Sequence, residues 1–600
     1  MMLSILAATV ALASPLPQLY VKGQNIVDAK GKRKILKGTN LGNWFVIEPW
    51  MLNLSGISDQ HQIESTLTER FSEAEKDRLM DVYRSSWITK RDFPIINSFG
   101  FNLVRLPMNY RQFEDDRKPF QLKKDAWKWI DFAIDQAEKN GLYTILDMHG
   151  VQGGQSVYDH TGQAGQNKLW TEEQNKKRLA WLWTQIAKRY KNRSAVLAYD
   201  VFNEPYGGTK PQQVEVFNRV LPEIRKVDPN KLVFAHGHYD NFFHYGNPKA
   251  NGWKNVAFQL HWYPGLFGNG SPTVQTQMKH LSTAPYWKEQ MAKVNVPLLI
   301  GEMNVVFQAA GGGAMMRRHF DTYGANGWLT TMWSYRAGSE TGGHGNASWG
   351  MVTNKRPARK IDFKSASKAQ IEVWMRGFAT DELEINTDLK KWLTVKKPVF
   401  PPIPPAPPKV VSTPHQDTLP NWTATDLNNA RKGGLHNLGS GKFALFGAGS
   451  DIWGKSDQAR FLHQSVQGDF QLTVHLMEQP KGEQYAKAGL MVRESLAANS
   501  AMALLSVFPD GGVQLAVREA TDSEASGKAE ATAASPLWFR LTRQGANLTC
   551  SISKDGSSWQ IVGKTTVKAA SLLVGPVALS HDDSQLTRLV YENLELLRLP

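Results

Sequence analysis

The most constraining feature of this chain is a series of eight short apolar runs, most of them too far apart for hairpins. They fall at about 34–39, 101–107 (FNLVRLP), 142–148 (LYTILDM), 196–202 (VLAYDVF), 232–236 (LVFAH), 256–261 (VAFQLH), 297–301 (PLLIG) and 328–333 (WLTTMW). Runs this short and this continuously apolar read as strands buried on both faces. Helical patterns separate many of them. Residues 124–139 put Trp127, Ile130, Ile134 and Ala137 on one face and stop at Asn140-Gly141. Further on, Thr171-Glu172-Glu173-Gln174 has the spacing of a capping box, ahead of a stripe of Leu179, Leu182, Ile186 and Tyr190. Eight strands alternating with helices predict an α/β protein with a (β/α)8 TIM barrel. The short gap between the fifth and sixth runs leaves room for only a minimal helix.

The barrel is expected over 15–396, with a small hairpin in 18–38 around Lys22-Gly23 and Lys30-Gly31 leading into the first strand. A closing helical segment follows the last strand, including 366–378 with Ile371, Trp374 and Phe378. Then comes KPVFPPIPPAPP, which can form neither helix nor central strand and favours extended polyproline II. It sets a linker at 397–412. Beyond it the period changes to two: FQLTVHL, AMALLSVF, GVQLAV, WFRLTR, NLTCSIS and GPVALS alternate, with turn signals such as Asp555-Gly556 between them. Residues 413–600 therefore read as an all-β antiparallel sandwich.

The net charge of +15 first suggests a nucleic-acid partner. Residues 410–600, however, hold 17 Lys+Arg against 18 Asp+Glu, so the excess lies in the barrel. There it is scattered over helical faces, as at Lys123-Lys124 and Lys176-Lys177-Arg178. That is solvated surface rather than a binding stripe, and no nucleic acid is expected. The single cysteine, Cys550, excludes an intrachain disulfide and a cysteine-based zinc site, and its alternating context makes it a buried bystander. Residues 1–14 have the apolar core and small-x-small ending (Ala11-Leu12-Ala13) of a signal peptide, although no Lys or Arg precedes the core. The expectation is a secreted or periplasmic protein without a transmembrane segment.

Chemistry in an α/β barrel sits at the C-terminal ends of the strands. In order, those ends carry Arg105, Asp147-Met148-His149, Asn203-Glu204, His236 and His238, His261-Trp262-Tyr263, Gly301-Glu302 and Trp333. Singly, each is a core histidine, a rim aromatic or a loop charge. Jointly they bring two carboxylates, a guanidinium, several imidazoles and aromatics to one mouth. Two carboxylates facing each other about 5 Å apart suit a nucleophile and an acid/base, whereas ~6.5–9.5 Å leaves room for a water between them. The histidines could also be metal ligands, but neither an H-E-x-x-H pair nor a carboxylate cluster with metal spacing occurs; no metal and no cofactor are expected.

Asn203-Glu204-Pro205, Gly301-Glu302, Arg105-Leu106-Pro107 and His261-Trp262-Tyr263 together resemble glycoside hydrolase family 5, over roughly residues 18–375. The resemblance implies a retaining O-glycosyl hydrolase with Glu204 as acid/base and Glu302 as nucleophile. It further implies that Asn203 holds the sugar 2-hydroxyl, that His261 and Tyr263 orient the carboxylates, that His149 contacts the sugar and that Trp333 is a stacking floor. Arg105 beside Glu302 should favour the charged carboxylate. Gly42-Asn43-Trp44-Phe45-Val46-Ile47-Glu48-Pro49-Trp50, with Ser86-Trp87-Ile88-Thr89 and Asp92-Phe93, is similar to the exo-β-1,3-glucanase branch, in which the match to Glu48 grips the terminal glucose. The loop at 150–156 and the compact region 262–282 depart from that branch, so endo-β-1,4-glucanase action stays open beside it. A non-catalytic glycan-binding protein on a retired barrel is the rival from another class, and the survival of both glutamates argues against it. The stretches AGLMVR, WFRL and SKDGSSW resemble concanavalin-like jelly-roll modules, for which carbohydrate contact and a spacer role are equally open; Trp422, Trp453 and Trp559 are stacking candidates only if exposed.

Overall fold

The computed structural model describes residues 15–599 apart from 240, 268–271, 306–309, 346–347, 404–414, 481–482, 484, 534 and 584. The expected signal peptide and the stretch 404–412 of the expected linker lie outside the described residues. The chain divides into two compact units with the main break between Ile403 and Pro404.

In the first unit all eight apolar runs are strands. They are β1 (Lys37–Asn40), β2 (Leu103–Asn109), β3 (Tyr143–Gly150), β4 (Val196–Asp200), β5 (Leu232–His236), β6 (Val256–Trp262), β7 (Leu298–Met303) and β8 (Leu329–Met332). They form a closed barrel in chain order, and every neighbouring pair is parallel. Strands β2 to β7 are buried at every position, as a barrel coated by helices requires.

The barrel is filled unevenly along its axis. One apolar cluster joins Leu103, Ile145, Ala198, Phe234, Leu299 and Leu329 to Leu19 and Ile26 of the N-terminal hairpin, Tyr20–Lys22 and Asn25–Val27. These side chains come from the early parts of the strands, so the hairpin plugs the N-terminal end. The polar residues are left to the C-terminal end.

Two local expectations need correction. The helix before β4 runs Glu173–Tyr190 with Glu172 as an uncapped N-cap, so Thr171 and Gln174 form no capping box. The chain is still in a turn at Thr171, where the Glu172 amide donates to the Lys168 carbonyl at 3.0 Å. Its apolar stripe is as expected: Leu179, Leu182, Ile186 and Tyr190 are all buried. The earlier helix begins at Lys128 rather than 124. Between β5 and β6 the only described helix is the single turn Phe243–Tyr245, as the short gap implied. Where the linker begins, Phe400 stacks on Trp392 at 5.7 Å and lies under Arg318.

The second unit has two seven-stranded sheets, antiparallel throughout. The alternating runs turn Leu472, Val474, Leu490, Leu505, Leu515, Phe539 and Leu541 inward to one core. Cys550 is in that core, fully buried, and burial pushes its thiol up to about 12.

Candidate active site

Parallel register assembles the site before any loop is considered. It sets Asn40 beside Arg105, Asp147 beside Asp200, and His261 beside Glu302, the last pair just after an irregularity between Leu260 and His261. Arg105 projects from β2 into the middle of these groups and is completely buried. Its guanidinium donates to Asp200 Oδ2 and Glu302 Oε1 at 2.9 Å, to Asn40 Oδ1 at 3.0 Å and to Asn203 Oδ1 at 2.8 Å; Asp147 Oδ1 lies 3.1 Å away. One cation thus faces three acids. Burial pushes Asp147 and Asp200 each up to about 7, with Arg105 pulling the other way.

Glu302 is 5% exposed, and both its oxygens have donors: Arg105 on Oε1, and the Tyr263 hydroxyl on Oε2 at 2.8 Å. Burial and the Glu204 charge raise its carboxyl well above the usual range, while Arg105 and Tyr263 oppose them. The net direction is the reverse of the sequence expectation. A guanidinium divided among three carboxylates returns less than full desolvation removes.

Glu204 stands four residues beyond the β4 strand end, with a φ of 39°, a left-handed conformation rare outside glycine and sustained only where the surroundings enforce it. Those surroundings are specific. Its amide donates to His236 Nδ1 at 3.1 Å, and Gln259 Nε2 lies 2.8 Å from the same nitrogen. Its Oε1 is 2.7 Å from His261 Nδ1 and its Oε2 is 3.4 Å from His160 Nδ1. Burial holds all three imidazoles below their ordinary range, His160 at about 4, so they bind Glu204 as neutral rings. One oxygen each from Glu204 and Glu302 and one His261 nitrogen lie within 4.8 Å of one another, the spacing of groups that could hold one small cation.

The other expected residues join this group. His149 Nδ1 is 2.7 Å from Asp147 Oδ2 and its Nε2 is 3.3 Å from Asn203 Nδ2, so Asp147 and His149 fix which way the Asn203 amide faces. His149 also stacks on Trp333, ring centroids 5.3 Å apart, and Trp333 is only 3% exposed. Glu48, just beyond β1, is buried; Trp50 Nε1 donates to its Oε2 at 2.9 Å, and its Oε1 has no hydrogen-bond partner. Burial, then the nearby Asp159 and Glu204 charges, push its carboxyl up to about 8. Of the strand-end histidines, His236 braces the Glu204 backbone, whereas His238 packs edge-on against Tyr206 at 5.9 Å.

Sequence reasoning missed Asn40, Asp200, Gln259 and His160. The first three read as ordinary strand positions, and only the register reveals them. His160 sits on a loop without periodicity, and nothing local marks it.

Two carboxylates so placed at the C-terminal mouth of a barrel are positioned to act on one substrate as an acid and a nucleophile. Residues 67–339 match the family model Cellulase (glycosyl hydrolase family 5). Residues 446–596 match the family model DUF1349, a protein of unknown function. The chain is 34% identical over 254 residues to a β-xylosidase of Phanerodontia chrysosporium, covering 42% of this chain and 52% of that protein. It is 30% identical over 280 residues to a probable glucan 1,3-β-glucosidase A of Aspergillus clavatus, covering 45% of this chain and 65% of that one. It therefore spans between half and two thirds of the length of these two relatives. Among solved structures, rutinosidase from Aspergillus niger aligns with 17% identity and a TM-score of 0.42, covering 57% of this chain and 98% of that one.

Proposed function

We propose that the barrel is a retaining β-glycosidase that hydrolyses β-glucan polysaccharide or oligosaccharide by double displacement, with exo-β-1,3-glucanase or β-glucosidase-type action. The observation that carries this reading is the approach of Glu204 and Glu302 to within 4.8 Å, the spacing of a nucleophile and acid/base rather than of a pair flanking water. Glu302 attacks the anomeric carbon while Glu204 protonates the leaving oxygen. Water then enters on the vacated side, Glu204 removes its proton, and the glycosyl–Glu302 ester is released. Asn203, oriented by Arg105 and His149, binds the 2-hydroxyl, and Trp333 lies beneath the sugar. No cofactor is required.

Exo action rests on Glu48, whose unpartnered buried oxygen suits a terminal sugar hydroxyl. The segment after β1 supports it. The His61 amide donates to the Gly162 carbonyl and the Ala164 amide to Asp59 Oδ2, both at 2.9 Å, tying that segment to the loop bearing His160. The β-xylosidase relative is the reason to include an aryl β-xyloside among the substrates. No helix among the described residues is long and apolar enough to cross a membrane, and the reading includes export through residues 1–14. In the sandwich Trp453 is 39% exposed and is the candidate for carbohydrate contact; Trp422 and Trp559 are half-buried, and Arg540 covers the Trp559 ring at 3.7 Å.

The test is digestion of β-1,3-, β-1,4- and mixed-linkage glucans with the products sized. Glucose alone from β-1,3-glucan is the expected result. A ladder of oligomers from a β-1,4-glucan would replace this reading with an endoglucanase, and no product from any substrate would favour a non-catalytic glycan binder.

A further inference from the structure

From the backbone pairing at the start of the sandwich we infer a surface site for a divalent transition-metal ion of the zinc class, formed by His415, Asp417 and His436. It is independent of the barrel chemistry. The strand Gly434–Gly439 is the edge of its sheet, and edge strands leave a row of backbone groups unpaired. Residues 415–417 cover part of that edge. Gln416 and Leu435 form a parallel bridge, in which the Leu435 amide donates to the His415 carbonyl at 2.7 Å and the Asp417 amide to the Leu435 carbonyl at 2.9 Å.

Alternation then decides which side chains meet. Leu435 is buried in the sandwich core, so its neighbour His436 turns outward. Across the bridge Gln416 pairs with Leu435, so His415 and Asp417 turn outward with His436. One donor atom from each of the three lies within 4.8 Å of the others. The two imidazoles lie face to face with centroids 3.7 Å apart, and neither ring makes a hydrogen bond among the described residues. Asp417 is not free to swing away, because its Oδ2 accepts from the Asn437 amide at 2.8 Å.

Two imidazoles and one carboxylate suit zinc, nickel or copper; the all-oxygen shells of calcium and magnesium do not fit this set. Binding would require the stacked rings, His415 exposed and His436 half-buried, to turn about χ2 until a nitrogen of each faces the ion. The remaining positions belong to water. The ion would clip the first described segment of the sandwich to its edge strand, which at present is held there by a single bridge and a few hydrogen bonds. Because such an ion binds the folded edge and not the unfolded chain, it should raise the stability of this unit with concentration.

The test is zinc titration by calorimetry on the full chain carrying Glu204→Gln and Glu302→Gln, which remove both carboxylates of the barrel's own donor group. One zinc should bind, and His415→Ala or His436→Ala should each weaken it by at least the roughly 10–100-fold that losing even an outer-shell partner costs. Copper(II) bound to the same protein should show two nitrogen ligands by electron paramagnetic resonance, falling to one in either variant. Both histidines are on the surface, so unchanged circular dichroism of the variants should confirm the fold. Absence of zinc binding, or binding that both variants leave untouched, would overturn the proposal, whatever the glucan digestion shows.

Discussion

Each unit buries a cluster of fixed charges, and these two clusters are unbalanced in opposite senses. The barrel sets Arg105 against Asp147, Asp200 and Glu302, one cation among three acids. The sandwich sets Asp457 against Arg493 and Arg518, one acid between two cations. In the sandwich most of the surplus is met by backbone carbonyls, although Arg493 Nη1 has no hydrogen-bond partner. Arg518 forks onto both Asp457 oxygens at 2.7 Å and also donates to the Gly454 and Ser500 carbonyls, while Arg493 reaches the Ser495 and Ala497 carbonyls. Burial still pushes Arg493 down to about 10. In the barrel the surplus is not closed off. Burial raises all three carboxyls while one guanidinium opposes it, with Glu302 at the open side of the cluster. A surplus of cations beside carbonyls is structural; a surplus of acids beside a mouth is chemical.

The comparison breaks most sharply at its two central acids. Glu302→Gln keeps the shape of the barrel cluster and removes the nucleophile proposed for it. Turnover of an activated aryl β-glucoside should fall by roughly 10⁴-fold or more, with the unfolding temperature nearly unchanged. If most activity survived, Glu302 would not be the nucleophile. Asp457→Ala should do the opposite. Leaving two buried guanidinium groups without their acid should destabilise the sandwich by about 3–5 kcal/mol, seen as an earlier transition in chemical denaturation. Activity per folded barrel should not change. A loss of activity matching the loss of stability would mean the two clusters are not separate in role.

A milder test is Tyr263→Phe. The phenol O–H donates to Glu302 and pulls its carboxyl down against burial, so removing it raises that carboxyl further. The acidic limb of the kcat/KM profile, where the nucleophile must lose its proton, should move up by about one pH unit. An unmoved limb would show that Arg105 alone sets the charge on Glu302.

The barrel was legible in the sequence because burial on both faces leaves a parallel strand no choice but a continuous apolar run. All eight strands stand where such runs occur. Glu204 and Glu302 were legible because strand ends are where a barrel exposes chemistry. Asn40 and Asp200 were not, since their meaning lies in which residue of the next strand they face, and one-dimensional pattern does not encode register. The upward push on Glu302 was invisible for a related reason. Arg105 could be read as its partner, but that Asp147 and Asp200 divide the same guanidinium is a fact of three dimensions. The capping-box pattern at Thr171 shows the converse, a local signal overruled by a turn that delays the helix by one residue.

The smallest effect sharpens the contrast from the surface of the sandwich. His581 Nδ1 lies 2.8 Å from Glu483 Oε2 and its Nε2 3.6 Å from Asp451 Oδ2, and hydrogen bonds to the two carboxylates lift it to about 9. A raised pKa means the folded protein holds the proton more tightly than the unfolded chain. The stabilisation is therefore complete below about pH 6.5 and is lost as pH rises through about 9. The ring is partly exposed, so solvent screening reduces the contribution to roughly 1 kcal/mol. Its φ of 58° makes asparagine the replacement that the backbone tolerates. His581→Asn should lower the stability of the sandwich by that amount at pH 6 and by almost nothing at pH 9.5, in paired denaturant titrations. Here, unlike in the barrel, the protonated group is the one that holds the structure together, and a difference independent of pH would remove that distinction.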